Sequence, residues 1–258
     1  MPFTISHVAA ALPLRRMNLI WSAFVIGSVA PDFPYILGTD KYRLLGHAFP
    51  GVFLFTFPAS LFALWLFHIA IKRPIVRLLP AGFQQRLHTH LRVFKFGGIA
   101  RFAAILFSLT IGLAIHIEWD ALTHPFTWPW RRWVWARSST DFPLLGRIET
   151  YLLLQYASTI VGIIALAVWV AMWYRKTAPL AEAVQLQEPD SGAILAAGML
   201  VVATVAGILR AWLVTGVPRS VVGADRFLAF FGFTSMAVAF WEVLVYCLLA
   251  TARQDQLT

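Results

Sequence analysis

The sequence predicts an all-α fold: a polytopic transmembrane helical bundle of five long spanning helices preceded by an N-terminal short-helix hairpin. Three observations predict it. Of 258 residues, 59% are hydrophobic and 13% charged, against roughly 45–50% and about 25% in soluble domains. Five apolar stretches, 51–71, 102–122, 151–174, 192–214 and 227–250, reach the length of about 20 residues that a helix needs to cross a bilayer. Alternating runs of about 10 residues, the mark of a transmembrane β-strand, are missing.

The chain opens with two apolar segments, 3–14 and 19–30, separated by Arg15, Arg16 and Asn18. At about 1.5 Å per residue neither is long enough to span, so an αα-hairpin is expected. Thr4 or Ser6 is placed to cap its first helix, and Pro13 to help end it. Ser28-Val29-Ala30 mimics a signal-peptide cleavage site, but Pro31 follows directly and opposes cleavage, which keeps the segment in the fold. In Ala30-Pro31-Asp32-Phe33-Pro34 the prolines stiffen an extended turn. Gly46-His47-Ala48-Phe49-Pro50-Gly51 then precedes the first spanning segment. The segment 72–101, with Pro74, Pro80, Gly82, Gly97 and Gly98, reads as a loop with room for a short surface helix. With no repeat and no soluble domain boundary, residues 1–258 form a single integral-membrane domain. Within it, 3–30 is the hairpin, 31–150 carries the polar site and 151–258 supplies supporting helices.

The net charge is +9, from 21 Lys+Arg against 12 Asp+Glu. The basic residues lie mainly in loops rather than on a soluble face, which argues for membrane anchoring and against nucleic acid. Twelve Lys and Arg fall on the side holding Arg15, Arg16, the 72–101 and 175–191 loops and the C-terminus, and eight on the other, with Arg210 between. The positive-inside rule then turns 31–50, 123–150 and 215–226 outward, in a bacterial inner membrane. The lone Cys247 sits in an apolar helix and reads as a small core residue.

Ionisable groups at membrane depth mark cavities, partners or ions. His116, Asp120 and His124 recur every four residues, on nearly one face of a helix. His7, Asp32 and His47 lie on segments that the hairpin returns to the same end. Imidazole and carboxylate converging in this way are the donor set of zinc or a similar metal. The helical rise sets a limit, because His116 and His124 are roughly 12 Å apart along an unbroken axis. Either His116 and Asp120 hold one ion while His124 serves a second, or His124 supports or acts on the substrate. Asp32, His47, His116 and Asp120 form the favoured core set, with His7 and His124 second-site or substrate-facing. The alternative is a set of helix-to-helix hydrogen bonds, with Asp120 paired to an arginine such as Arg210. Glu118 is offset from the face of His116 and Asp120, and His68, His88 and His90 lie at the opposite end. The Trp- and Arg-rich segment 126–137 reads first as interfacial anchoring. Its alternative use is a clamp in which Arg131 or Arg132 binds phosphate. Gln155 and Ser158 are placed to line the same cavity or to join helices.

Pro2-Phe3-Thr4-Ile5-Ser6-His7, the Ala30–Pro34 turn, Gly46-His47 and His116-x-x-x-Asp120 followed by His124 resemble a bacterial integral-membrane family, domain-of-unknown-function family 4184, nearly end to end. The same skeleton is similar to the membrane-bound predicted metal-dependent hydrolases, and more distantly to zinc-dependent phospholipase C and related single-strand nucleases. This resemblance implies metal ligation by His7, Asp32, His47, His116, Asp120 and His124. A downstream His-x-x-x-Glu is missing, which favours one or two ions over three. The expectation is a metal-dependent hydrolase acting on a phosphoester of a lipid or lipid-linked substrate. Zinc would be its ion, Asp32 or Asp120 would accept the proton, and Arg131 or Arg132 would offset phosphate charge. The rival expectations are a metal transporter or sensor, and a structural membrane protein.

Overall fold

The computed structural model describes residues 4–39, 42–143, 146–180 and 189–255. Pro2, Phe3 and Lys41, part of the 175–191 loop and the last residues of the chain lie outside the described residues. The hairpin is present but less regular than expected. One α-helical turn, α1 (Thr4–His7), continues into 3-10 turns at Val8–Ala11 and Pro13–Arg16, and α2 (Trp21–Val29) returns. Pro13 opens its 3-10 turn rather than closing a helix, since at a first position its missing N–H costs nothing. A 3-10 turn over Ala30–Asp32 leads into α3 (Phe33–Ile36), and α4 (Arg43–His47) follows.

The first spanning helix, Val52–Arg77, alternates π and α geometry: π at Val52–Thr56, α5 (Phe57–Leu66), π at Phe67–Ile71 and α6 (Lys72–Arg77). It runs past the expected end at residue 71 and carries Pro74 inside it. A proline ring collides with the carbonyl four residues back. For Pro58 and Pro74 those carbonyls, of Leu54 and Ala70, fall in the two widened π turns, which make room without ending the helix. The expected surface helix is α7 (Ala81–Leu87). After Gly97-Gly98 comes α8 (Ile99–Thr123), then α9 (Trp128–Arg132). A small antiparallel hairpin that hydropathy does not reveal, β1 (Ser139–Phe142) with β2 (Gly146–Glu149), pairs Thr140 with Ile148. Three long helices complete the chain: α10 (Thr150–Lys176), α11 (Pro189–Thr215) and α12 (Val221–Asp255).

Five helices are long and apolar enough to cross a membrane, and the molecule is an all-α polytopic bundle. Its lipid-facing surface is apolar, with Leu200, Leu213, Ile160 and Ile164 among many exposed aliphatic side chains. α11 and α12 pack as an antiparallel pair, α12 leans on α3 and α6, and α1 lies against α10. Cys247 is fully buried on α12.

A close seam joins α2 to α8. A Cβ on Gly27 would collide with the Leu109 carbonyl, and one on Gly112 with the Phe24 carbonyl. Two glycines facing each other's helix let the backbones touch, the small-residue packing on which membrane helices rely. Ser108 strengthens the seam by accepting from Ile20 N at 2.9 Å. Ala23, Leu64, Ile105 and Leu109 form the buried apolar core beside it. Gly112→Leu is therefore expected to overpack the seam by about 1–3 kcal/mol and lower the thermal midpoint of the detergent-solubilised protein. Gly198→Ala, where an added Cβ meets nothing within 4 Å, should leave that midpoint equal or higher.

Candidate metal centre

Each polar residue of the cluster is delivered by a different local device. Asp32 ends the 3-10 turn Ala30–Asp32, which carries Pro31 near its start. It is fully buried, and its Oδ2 accepts from Thr4 Oγ1 at 2.6 Å. Thr4 thus anchors the carboxylate rather than capping the first helix. His47 is the last residue of α4, which can lie against the Asp32 turn because Gly46 has no side chain; a Cβ there would strike the Pro31 carbonyl. Thr56 holds the far side of this turn by donating to Leu45 O at 3.1 Å.

His116 and Asp120 project one turn apart from α8. The α2–α8 contact brings the Ser28 carbonyl to His116, whose Nδ1 donates to it at 2.7 Å. A carbonyl only accepts, so the proton sits on Nδ1 and the Nε2 lone pair points inward. Metal-binding histidines are oriented in this way. His116 Nε2 lies 3.7 Å from Asp32 Oδ1 and 3.5 Å from Asp120 Oδ2. His47 Nε2 lies 3.6 Å and 3.2 Å from the same two oxygens. One ligand atom from each of Asp32, His47, His116 and Asp120 falls within a mutual 4.8 Å.

These separations are informative. Direct charge-assisted hydrogen bonds close to about 2.7–2.9 Å. Donors placed tetrahedrally around an ion at about 2.0–2.2 Å are instead held roughly 3.3–3.6 Å apart. The observed 3.2–3.7 Å fits the second pattern. Asp32 Oδ1 and His116 Nε2 are also buried without a hydrogen-bond partner, a state that dry interiors rarely tolerate. The donor set therefore fits a divalent cation.

The chain belongs to the family described as Domain of unknown function (DUF4184), whose model matches residues 1–250. That span contains every residue of the cluster. No curated protein and no solved structure matches the chain.

His7 and His124 border the same centre. His7 Nε2 is 3.4 Å from Asp120 Oδ1, and its ring stacks on His116 at 3.9 Å between centroids. Packing strips these groups of solvent: burial pushes the Asp32 carboxyl above its ordinary value and the His7 imidazole down to about 3. α8 stays unbroken through Thr123 and His124 is its C-cap, so the axial rise from His116 is kept, and His124 is not among the four residues whose ligand atoms lie within 4.8 Å of one another. Its ring turns back, with Nδ1 donating to Asp120 O at 2.8 Å and lying 3.9 Å from Asp120 Oδ1. All six expected ligands thus meet at one end of the bundle. Only His47 and His124 keep appreciable exposure, 23% and 27% of their side chains, against 8% or less for the others. Those two rings are the solvent-exposed edge of the cluster.

Arg131 and Arg132 are exposed on α9, and among the described residues no hydrogen bond or ion pair joins either to the cluster. Glu118 is exposed, as its offset predicts. Asp120 faces histidines rather than Arg210, which is exposed on α11. Gln155 is buried, and its carbonyl accepts from Ser158 within α10. At the opposite end His68 Nε2 meets Ser22 Oγ at 2.9 Å, and His88 and His90 are exposed. Sequence reasoning missed the Ser28 carbonyl and the Thr4 hydroxyl as orienting partners, because neither role has a sequence signature. Thr4→Ala is expected to weaken retention of a divalent cation by roughly 10–100-fold in chelator competition on the purified protein, whereas Glu118→Gln should leave it unchanged.

Proposed function

We propose that this protein is a membrane-embedded metal-dependent hydrolase acting on a phosphoester of a lipid or lipid-linked substrate. The observation that carries the reading is the convergence of Asp32, His47, His116 and Asp120, three of them buried, with mutual ligand distances within 4.8 Å. Two imidazoles and two carboxylates suit zinc, with manganese or iron as the chemical neighbours. When bound, the cation would act as a Lewis acid on a phosphoryl oxygen and make water a better nucleophile.

The residues supply the rest. Thr4 and the Ser28 carbonyl hold Asp32 and His116 in place, so the pocket needs little reorganisation at the moment of reaction. Asp32 and Asp120 are the candidate proton acceptors. Their carboxylates are shielded from bulk water, and among the six clustered side chains the exposed ones are His47 and His124. Past those rings the chain exposes Phe49, Phe53, Leu54, Phe126 and Trp128. An apolar, aromatic rim suits an amphiphile lying at the membrane interface. Arg131 and Arg132, exposed beside that rim, are placed to meet a phosphate-bearing headgroup. The similarity of the ligand order to membrane-bound metal-dependent hydrolases and to zinc-dependent phospholipase C points the same way. The charge bias of the loops favours an extracytoplasmic opening.

A metal carrier would need a polar path continuing toward the other face. Along α2 and α8 that direction is filled by Ala23, Leu64, Ile105 and Leu109, which favours a dead-end catalytic pocket. The test is metal analysis and turnover of the detergent-purified chain on soluble and lipid phosphoesters. Turnover should vanish with chelator, and Asp120→Asn should reduce it by at least about 100-fold, exceeding the loss usual for a supporting residue. Arg131→Ala with Arg132→Ala should raise KM for lipid phosphoesters more than for soluble ones. A metal-loaded chain that turns over no phosphomonoester, phosphodiester or lipid phosphate would remove the hydrolase reading.

A further inference from the structure

The end of the bundle opposite the metal centre carries charge of one sign. Residues 72–101 hold seven Lys and Arg and no Asp or Glu, and no acidic residue occurs between Asp40 and Glu118. We propose that the segment 92–98, together with Lys72 and Arg101, binds the phosphate headgroup of an anionic phospholipid. This place is remote from the metal centre: Arg101 and Asp120 share the continuous helix α8 and lie roughly 28 Å apart along its axis at about 1.5 Å per residue. The proposal is independent of the hydrolase reading.

The segment is fastened to the bundle by its aromatic side chains. Residues 93–97 adopt neither helix nor strand, and their burial alternates as in an extended chain, whose successive side chains face opposite ways. Phe94 and Phe96 pack on the apolar core of Ala23, Leu64, Ile105 and Leu109. Phe94 also stacks on the His68 ring at 3.8 Å between centroids. Arg92, Val93 and Lys95 are exposed. The two phenylalanines anchor a strap whose outer edge presents basic groups.

Two flanking cations are fixed on this strap without being neutralised. Lys72 Nζ, near the end of the first spanning helix, donates to Arg92 O at 2.7 Å. Arg101 Nε, in the first turn of α8, donates to Lys95 O. A carbonyl orients a cation but brings no charge to cancel it. Arg101 also lies over the Phe94 ring, 5.1 Å from its centroid. Gly97 makes room for this: its φ is +73°, and a Cβ there would collide with the Arg101 side chain. With Nε committed, the guanidinium keeps its terminal N–H groups to meet a phosphate, as Arg forks do well.

The neighbouring side chains select the ligand. Val93 is 75% exposed, and Ile99 and Phe102, on the same turn of α8 as Arg101, are 92% and 42% exposed. Cations beside exposed apolar side chains match the two halves of a lipid, headgroup phosphate and acyl chain. Inorganic phosphate would use the ionic half alone.

The experiment is native mass spectrometry of the delipidated full chain in uncharged detergent. It is titrated with short-chain phosphatidylglycerol, with phosphatidylcholine of equal chain length, and with inorganic phosphate. Phosphatidylglycerol should be retained at least about 10-fold better than phosphatidylcholine, and inorganic phosphate at the same concentration should not displace it. Lys95→Gln with Arg101→Gln should remove that preference, a loss of about 10-fold for two cations beside a headgroup. Arg175→Gln with Lys176→Gln, which deletes the same charge at the end of α10, should keep it. Equal retention of the two lipids by wild type would overturn the proposal. Equal losses in the two double variants would also overturn it, showing attraction to net charge rather than a site. Displacement by inorganic phosphate would overturn the lipid assignment. Should the first double variant fail to fold, Arg92→Gln with Lys95→Gln, both exposed, takes its place with the same expected loss.

Discussion

Two carboxylates that share one buried pocket impose the constraint around which the rest of the structure is arranged. Asp32 is fully buried and Asp120 nearly so, and their oxygens belong to a group only 4.8 Å across. Anions at that spacing in a poorly solvated interior repel strongly and cannot stay charged without compensation. The bundle surrounds them with imidazoles and a hydroxyl rather than with lysine or arginine. Imidazole is adjustable: it serves as a cation, or as a neutral ligand to one. An Arg in the same place would neutralise the site and leave no vacant donor.

The surrounding packing follows from that demand. Gly27 and Gly112 let α2 press on α8, so that the Ser28 carbonyl reaches His116. Gly46 lets α4 press on the Pro31 turn, so that His47 reaches Asp32. Gly162 lets α10 press on Ser6, next to His7. At each of these contacts a side chain is given up beside a ligand, because a ligand set tolerates displacements of only a few tenths of an ångström. The long helices α11 and α12, by contrast, show broad apolar faces; α11 packs mainly on α12, and α12 in turn lies against α3 and α6. The site is built by residues 4–124, and the later helices support it.

Distance, more than residue identity, separates a metal reading from a network of salt bridges. A network relaxes until its hydrogen bonds are short, as Thr4 to Asp32 at 2.6 Å and His116 to Ser28 at 2.7 Å have done. The contacts that orient the ligands are short, whereas those between ligands stay at 3.2–3.7 Å. Tight outer contacts and spaced inner ones describe a pocket held open around a centre. His47 and His124 are its exposed edge, and Phe49 and Phe126, close to them in sequence, are exposed as well.

The sequence by itself determined the bundle, because helix length, hydropathy and loop charge are local quantities set by the bilayer. It also pointed to the core set Asp32, His47, His116 and Asp120, which the structure brings together. A spacing of four on one helix is a local geometric fact, and Pro31 and Gly46 mark the turns that carry Asp32 and His47. Other features had no local signature. The continuation of the first spanning helix through Pro74 depends on π turns, and the β1–β2 hairpin is too short for periodicity to show. The helical rise held, since α8 is continuous to Thr123 and His124 stays outside the four-residue group, but the turn of the His124 ring back to the Asp120 carbonyl had no sequence signature. Thr4 was assigned to the wrong partner because its bond to Asp32 spans 28 residues, and a capping role is the nearest local alternative. Which oxygen of Asp120 faces which histidine was decided only by tertiary structure: it depends on how α1, α4 and α8 meet in space, and no pattern along a single segment records that meeting.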